Sequence, residues 1–267
     1  MALTAKPTSY TLNAGHAKAP THLWMFDEGT GSTSADKGTG TALTMNLQNG
    51  AAWGSDALGT TLVCVSASNQ NAISDTGTIW NPANNVLMVA IAESATAGNV
   101  AATEYIFSYG KSNLTTPGIG GMRILTATNT LSGIADDNSV TRTNATSFAF
   151  YDATMHMIAV KIQPQASSGE IIAVSMDGSA WDTTPNNTLG TSYTIDRYAV
   201  GVRAASTGGS LFNGSILALY VYENGTYATW NDAWIADLYA DPWQFLNTTT
   251  ASAPGLFTVR SAIRLGS

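Results

Sequence analysis

The seven-residue run Val86–Ala92 constrains the fold more than any other feature of this sequence. All seven residues are apolar, and the polar residues Asn85 and Glu93 flank them. A short, continuous apolar run bounded in this way is typical of a strand that is covered on both faces. We therefore predict a central strand in a sheet that is buried on both sides.

Period-2 patterning predicts further strands. One is Tyr105–Tyr109, and several later runs alternate apolar with small or polar residues. The aligned apolar positions in these runs are Ile158, Val160 and Ile162; Ile172, Val174 and Met176; Tyr198, Val200 and Val202; and Ile216, Ala218, Tyr220 and Tyr222. Asp177-Gly178 and Asn224-Gly225 supply turn signals because both residue types tolerate positive φ.

One late segment has helical periodicity instead. Its apolar stripe consists of Trp230, Ala233, Trp234 and Leu238. Thr229 is the expected N-cap, with Asp232 in the capping-box position, and Pro242 is expected to end the helix. Many strands and one short helix predict an all-β fold: a two-sheet antiparallel jelly-roll sandwich with a short C-terminal helix.

The chain divides into three parts by composition. Residues 1–20 hold few large apolar groups and are expected to form an extended arm, and residues 21–246 read as one domain without a linker-like break. Residues 247–267 read as a flexible tail that ends in a short apolar and basic segment. The residues predicted to bind a partner lie there: Leu256, Phe257, Val259, Arg260, Ile263 and Arg264.

Charge and composition exclude several classes of function. The chain carries 18 acidic and 11 basic residues, a net charge of −7, which disfavours binding to nucleic acid. No apolar run approaches the roughly 20 residues of a membrane-spanning helix. The start of the chain lacks the pattern of a secretion signal. The single cysteine, Cys64, lies between apolar neighbours and is expected to be a buried thiol.

The sequence contains few candidate metal ligands. His16, His22 and His156 have no ligand spacing, so we expect them to pack or to face solvent. A loop containing Asp136, Asp137 and Asn138 could supply oxygen ligands for Ca²⁺. These three residues are weak candidates because a solvated turn is the better explanation of the pattern. No cofactor is predicted.

Catalytic motifs are also missing. Glycan cleavage requires two carboxylates that face the sugar, and sandwich glucanases place them on one strand as Glu-x-Asp-x-Glu or a near variant. No such triplet occurs here, and Glu170 stands alone at the start of a strand. No Gly-x-Ser-x-Gly elbow is present either. We therefore predict that the protein is not an enzyme.

Several motifs across residues 22–246 occur in a characteristic order. Residues 22–32 read His-Leu-Trp-Met-Phe-Asp-Glu-Gly-Thr-Gly-Ser, and four later motifs follow: Ala35-Asp36-Lys37-Gly38, Leu47-Gln48-Asn49-Gly50-Ala51-Ala52-Trp53, Ser175-Met176-Asp177-Gly178 and Phe212-Asn213-Gly214-Ser215-Ile216. This series resembles the laminin-G-like, concanavalin A-like jelly-roll domains. The resemblance implies the sandwich fold. Residues 62–68 depart from the family's Phe-Asp-Gly turn, so the resemblance does not imply a Ca²⁺ or glycan site in this chain.

The end of the domain carries a second resemblance. Residues 234–245 read Trp-Ile-Ala-Asp-Leu-Tyr-Ala-Asp-Pro-Trp-Gln-Phe, similar to the ending of versions encoded among tailed-phage structural genes. This resemblance implies a virion protein, with other virion proteins as partners, including the major capsid protein and copies of itself.

Two functional hypotheses follow. The first is a non-enzymatic phage structural protein, of the capsid decoration type, that is made without a signal peptide, is located in the virion and contacts its neighbours through its terminal segments. The alternative is a carbohydrate-binding module of a tail fibre or an extracellular protein, with a host glycan as its ligand. An exposed aromatic cluster would favour the alternative.

Overall fold

Two eight-stranded antiparallel sheets face each other in the computed structural model, which describes residues 2–77, 84–95, 102–111, 119–126, 128–136, 141–163, 170–185, 195–204 and 211–248. Strands are numbered in chain order. The first sheet contains β3 (Thr33–Ser34), β4 (Met45–Gln48), β7 (Asn71–Ser74), β9 (Glu104–Gly110), β10 (Ile119–Ile124), β11 (Thr130–Asp136), β12 (Thr141–Ala149) and β16 (Arg197–Val200). The second contains β2 (His22–Trp24), β5 (Ala52–Asp56), β6 (Gly59–Cys64), β8 (Val86–Ser94), β13 (His156–Ile162), β14 (Glu170–Met176), β15 (Asp182–Pro185) and β17 (Gly214–Glu223).

The strand orders show that neighbours in the sheet are often distant in sequence. The first sheet runs β12-β11-β10-β9-β16-β7-β4-β3, and the second runs β15-β14-β13-β8-β17-β6-β5, with β2 also paired to β17. The remaining elements are β1 (Tyr10–Leu12), β18 (Leu246–Thr248), 3-10 turns at Ser66–Ser68 and Tyr227–Thr229, and α1 (Asp232–Ala240). This arrangement confirms the predicted sandwich with one short late helix.

The prediction for Val86–Ala92 is confirmed, because β8 is central in the second sheet and buried on both faces. Its Met88 and Ala90 join the core between the two sheets. Leu87 and Val89 point to the opposite, outer face, where a second apolar cluster forms. Each fully buried side chain of this kind contributes about 1.5–3 kcal/mol, so the outer face needs a cover as much as the inner one does.

The helix supplies part of that cover, through a face that shares Leu238 with the predicted stripe but also buries Ile235, which the stripe did not include. It begins at Asp232, and its N-cap is Asn231, whose side chain accepts a hydrogen bond from the Trp234 backbone N–H. The buried helical side chains are Ile235 and Leu238. Trp234 is only half-buried and Ala233 is exposed, whereas Trp230 is buried before the helix begins. The predicted Thr229 cap is therefore wrong, because the chain is still in a 3-10 turn at that residue.

Residues 2–20 supply another part of the cover. Leu3, Tyr10 and Leu12 pack against the outer cluster, and β1 pairs with β18 in a separate two-stranded sheet. The predicted arm therefore lies on its own domain, because the apolar outer face of the second sheet offers it a surface. The predicted tail begins within β18, and its proposed partner-binding residues lie outside the described residues: Leu256, Phe257, Val259, Arg260, Ile263 and Arg264.

The predictions of a buried Cys64 thiol and of a turn at Asp177-Gly178 are confirmed. Trp24 lies in the core between the sheets, while Met25 lies in the outer cluster. Cys64 is buried, which raises the pKa of its thiol to about 12. Asp177 and Gly178 both adopt positive φ in a turn closed by the Ser179 N–H and the Met176 carbonyl. Within the described residues, no helix has the length and apolar character needed to cross a membrane.

Candidate ligand-binding pocket

A pocket of about 400 Å³ opens on the outer face of the second sheet, where α1 begins. Its volume lies within the usual range for small-molecule sites. Four segments meet there: β13, the turn before β15 with β15 itself, the 3-10 turn after β17, and the start of α1. The lining residues are Lys161, Trp181, Thr183, Tyr227, Ala228, Asn231 and Asp232.

Lys161 forms the positive side of this pocket. On β13 the inward positions, such as Val160 and Ile162, fill the core between the sheets, so Lys161 points to the outer face. It is only 5% exposed. Its Nζ donates to the Trp230 carbonyl at 3.0 Å. This hydrogen bond stabilises the buried ammonium beside the start of the helix.

Two aromatic rings flank the same ammonium. Nζ lies 4.7 Å from the centroid of the Trp181 ring and 4.2 Å from that of the Tyr227 ring. Both distances are within the roughly 6 Å range of cation–π attraction. Lys161 therefore helps to hold in place two half-buried rings that line the pocket. A pocket with fixed aromatic walls and a charged donor is suited to a polar ligand that has apolar faces.

The helix start contributes the acceptor groups. Asp232 Oδ1 accepts from the Trp181 backbone N–H at 2.9 Å, which ties the turn before β15 to α1. The Asp232 side chain is exposed. In contrast, the Trp181 Nε1–H is buried and has no hydrogen-bond partner among the described residues. A buried donor without a partner costs about 1–3 kcal/mol, so a ligand oxygen that accepted from it would be favoured.

A second polar cluster lies between the two sheets, around His22. Its Nδ1 lies 2.6 Å from Asp36 Oδ2, and its Nε2 lies 3.1 Å from Glu223 Oε1. The Tyr198 hydroxyl donates to the same Glu223 oxygen at 2.5 Å. Burial alone lowers the pKa of His22, but the hydrogen bonds to the two carboxylates raise it to about 9. The imidazolium is therefore the stable form at neutral pH.

The side chains of this His22 cluster are almost fully buried and are bound to one another. The His22 and Asp36 side chains are 4% and 1% exposed, and both ring nitrogens of His22 are occupied. Asp36 also accepts from the backbone N–H groups of Leu23, Gly38 and Leu43. The cluster therefore joins β2, β17 and the loop after β3 through one imidazolium and two carboxylates.

The third polar cluster surrounds His156. Its Nδ1 lies 2.6 Å from Asp177 Oδ2, and its Nε2 lies 3.1 Å from Asp152 Oδ2. Burial lowers the pKa of His156, but hydrogen bonds to Asp177 and Asp152 raise it overall. Asp177 Oδ1 also accepts from the Met157 N–H, so the cluster ties the Asp177-Gly178 turn to β13.

The weak Ca²⁺ candidates are only partly within the described residues. Asp136 ends β11 and accepts a hydrogen bond from Thr141 at 2.9 Å. Asp137 and Asn138 lie outside the described residues. Across the described part of the chain, no group of three His, Cys, Asp or Glu side chains is arranged to hold a metal ion.

The pocket residues carry no motif because they come from three stretches that are distant in sequence, around residues 161, 181–183 and 227–232. One signal was present: Lys161 interrupts an alternation whose other members are apolar or small. A lysine on the outer face of a buried strand needs partners for its charge. The sequence could not identify Trp181 and Tyr227 as those partners, because that pairing depends on where α1 docks.

Comparisons with known proteins place the fold. No family model matches the chain, and no curated protein matches it. Among solved structures, a Trypanosoma rangeli sialidase in complex with sialic acid has a TM-score of 0.60 at 12% identity, over 86% of this chain and 34% of that one. The receptor-binding domain of botulinum neurotoxin mosaic serotype C/D also has a TM-score of 0.60, at 10% identity, over 86% of this chain and 51% of that one.

A third neighbour is a single domain. Domain 4 of AbnA, an extracellular arabinanase from Geobacillus stearothermophilus in complex with arabinotriose, has a TM-score of 0.59 at 13% identity. The match covers 86% of this chain and 99% of that domain, whereas the chain spans about a third of the sialidase chain and half of the neurotoxin chain. At these identities the likeness shows a shared β-sandwich fold of the jelly-roll type.

Proposed function

We propose that this chain is a non-enzymatic carbohydrate-binding β-sandwich and that the pocket between β13, β15 and α1 is its ligand site. The observation that carries the proposal is the pair of pocket-lining rings, Trp181 and Tyr227, whose centroids lie 4.7 and 4.2 Å from the Lys161 ammonium. Aromatic faces match the apolar faces of a sugar ring, while the ammonium and Asp232 can bond its hydroxyl groups. The structural neighbours with sialic acid and arabinotriose agree with this ligand class.

The lack of enzymatic activity is part of the proposal. The buried carboxylates Asp36 and Glu223 are both bound to His22. Asp177, the carboxylate at the central turn, is bound to His156 and to the Met157 N–H. Glycoside cleavage requires an acid and a base or nucleophile that both reach the sugar. We expect no release of sugar from bacterial polysaccharides, and turnover that Asp177→Asn abolished would contradict this expectation.

The binding test begins with a glycan array and continues with calorimetry on the strongest ligand. Trp181→Ala and Tyr227→Ala should each weaken binding at least about tenfold, since aromatic anchors are typical binding hot spots. Trp53→Ala is the matched control, because Trp53 is also half-buried but lies on β5, remote from the lining residues. Absence of glycan binding by the wild-type protein, or equal losses in all three variants, would contradict the proposal.

A second candidate is a structural protein of a phage virion, of the capsid decoration type, which contacts the major capsid protein and copies of itself. The sequence Leu238-Tyr239-Ala240-Asp241-Pro242-Trp243 supports it, through the resemblance to tailed-phage structural proteins. The pairing of β1 with β18 supports it further, because among the described residues no third strand covers an edge of the sheet that these two strands form. Such an edge can accept a strand from a neighbour.

Deletion of residues 249–267 tests this second candidate while leaving β18 intact. The melting temperature of the truncated protein should stay near that of the wild type, and its incorporation into particles should be lost. A control protein with those 19 residues replaced by a Gly/Ser linker separates sequence from length. If the truncated protein is still incorporated into particles at the normal level, the tail is not the anchor. Glycan binding by the same protein would leave the first proposal untouched.

A further inference from the structure

One edge of β17 changes partner partway along its length. Residues 214–216 pair with β6, through Gly214↔Cys64 and Ile216↔Leu62. Residues 219–221 pair with β2, through Leu219↔Trp24 and Val221↔His22. The stretch between them faces a gap where β2 has ended and the paired part of β6 has not begun. We call this gap, bounded by residues 25–26, 60 and 217, the seam.

Backbone carbonyls are concentrated at the seam. On the other edge of β17, the register with β8 shifts between Ile216 and Ala218, so Leu217 is skipped there. Phe26, just after β2, has φ +46 although it is buried and not glycine. In an extended strand successive carbonyls point to opposite edges. The left-handed residue breaks this alternation, so the carbonyls of Met25 and Phe26 both reach the seam.

The ammonium of Lys6 occupies the seam. Its Nζ donates to the carbonyls of Thr60 at 2.5 Å and Met25 at 2.6 Å, and more weakly to those of Phe26 at 3.3 Å and Leu217 at 3.4 Å. Lys6 is 7% exposed. Buried carbonyls without a partner are costly, so this single side chain satisfies acceptors that the interrupted strand ladder leaves open.

The surroundings of Lys6 keep it charged at neutral pH. Burial lowers the pKa of its ammonium to about 8; Asp27, Glu28 and Asp56 oppose this shift, and Lys37 adds to it. The group therefore remains protonated at pH 7. Four carbonyl oxygens around a dehydrated positive charge are the donor set that an ammonium ion or a hard monovalent cation requires.

We propose that the seam is a cation site selective for primary ammonium groups and small monovalent cations, and that Lys6 is its tethered occupant. The backbone of Lys6 is fixed close to the seam, because its N–H donates to the Leu58 carbonyl at 2.8 Å. Gly59 leaves room for the side chain, since a Cβ there would lie 3.2 Å from Lys6 Cε. The Trp243 Nε1–H also donates to the Thr4 carbonyl. Lys6 in the seam and this hydrogen bond together hold the start of the chain against the outer cluster.

Chemical rescue tests the site directly. Lys6→Ala removes the atoms from Cγ to Nζ, which n-propylammonium replaces. The melting temperature of Lys6→Ala should fall by roughly 5–10 °C, because the seam carbonyls lose their partner. Millimolar n-propylammonium should restore at least half of that loss, and K⁺ or NH₄⁺ should restore less. Tetramethylammonium, which has the charge but no N–H donor, should restore none at the same ionic strength.

Two controls make the outcome decisive. Wild-type protein and Lys111→Ala, in which a half-buried lysine just beyond β9 is removed, report any general effect of each salt. Rescue by tetramethylammonium as strong as by n-propylammonium, or no rescue by any cation, would overturn the proposal. So would an unchanged melting temperature in Lys6→Ala.

A second measurement needs no variant and covers the case in which Lys6→Ala does not fold. Native protein is treated briefly with acetic anhydride at pH 7, and the acetylated lysines are quantified by mass spectrometry. Lys6 should react at least about tenfold more slowly than Lys111, because Lys6 is 7% exposed and four carbonyl oxygens enclose its Nζ. The lowered pKa of Lys6 favours the reactive neutral amine, so slow acetylation would report the enclosure rather than the charge. Equal rates would show that the seam does not hold the ammonium.

Discussion

Replacing Glu104 with Gln should stabilise the protein at alkaline pH. Glu104 begins β9, is 7% exposed, and accepts one hydrogen bond, from the Asn213 N–H at 3.2 Å. Burial raises the pKa of its carboxyl to about 7, and the Asn213 hydrogen bond offsets only part of this shift. The folded protein therefore binds more protons than the unfolded chain between pH 4.5 and 7, so ionisation of Glu104 reduces stability as the pH rises through that window.

The size of the effect follows from the shift. A pKa change from 4.5 to about 7 corresponds to about 3 kcal/mol at pH 8, since each pKa unit is worth about 1.4 kcal/mol. Gln keeps an acceptor for the Asn213 N–H but adds an amide group that needs its own partner. We therefore expect a net gain of about 2 kcal/mol, or roughly 4–8 °C in melting temperature for a chain of this size.

Thermal unfolding of wild-type protein and Glu104→Gln at pH 5 and pH 8 measures this directly. The difference in stability should be close to zero at pH 5 and reach its full value at pH 8. Glu93→Gln is the matched control, because Glu93 is only half-buried on β8 and burial also raises its pKa, so its gain should be smaller. A Glu104→Gln variant that is less stable at pH 8, or whose gain is the same at both pH values, would refute the reasoning.

Two further predictions concern the His22 cluster and the helix. The pKa of His22 is raised from 6.5 to about 9, so its imidazolium contributes stability of order 3 kcal/mol. This contribution is fully present below pH 6.5 and is lost as the pH rises through 9. His22→Gln should therefore flatten the pH dependence of stability between those values, and an unchanged pH dependence would contradict the assignment. Trp234→Ala should reduce the free energy of unfolding by only about 1–2 kcal/mol because Trp234 is half-buried. Trp230→Ala should reduce it by about 3–5 kcal/mol because Trp230 is 4% exposed. Urea unfolding of both variants measures the two losses, and a larger loss in Trp234→Ala would show that Trp234 is the main anchor of the helix.

The choice between two binding roles depends on different surfaces of the molecule. The carbohydrate proposal uses the walls of the pocket at Trp181 and Tyr227, and the virion proposal uses the sheet that β1 and β18 form. The two surfaces share no residue, so a variant in one leaves the other intact. A protein displayed on a particle could use both, one to anchor and the other to bind a glycan.

The local sequence determined the elements that depend on near neighbours. The run Val86–Ala92 specified a strand buried on both faces, because a continuous apolar stretch has no polar face that could be exposed to water. Asp177-Gly178 specified a turn because both residues tolerate positive φ. The period-2 runs specified which side chains share a face, and together these features predicted the sandwich.

Tertiary structure alone decided which elements meet. The helical stripe was misassigned because Trp230 lies before the helix, and only docking on the outer face selected Ile235 and Leu238 as the buried pair. In the same way, Lys161 and Trp181 both bond to the segment at the start of α1, through the Trp230 carbonyl and the Asp232 side chain. Lys6 lies 54 residues before Thr60 and 211 before Leu217 along the chain. Period and propensity act over a few residues, so a carbonyl cluster built from such distant segments leaves no pattern in the sequence.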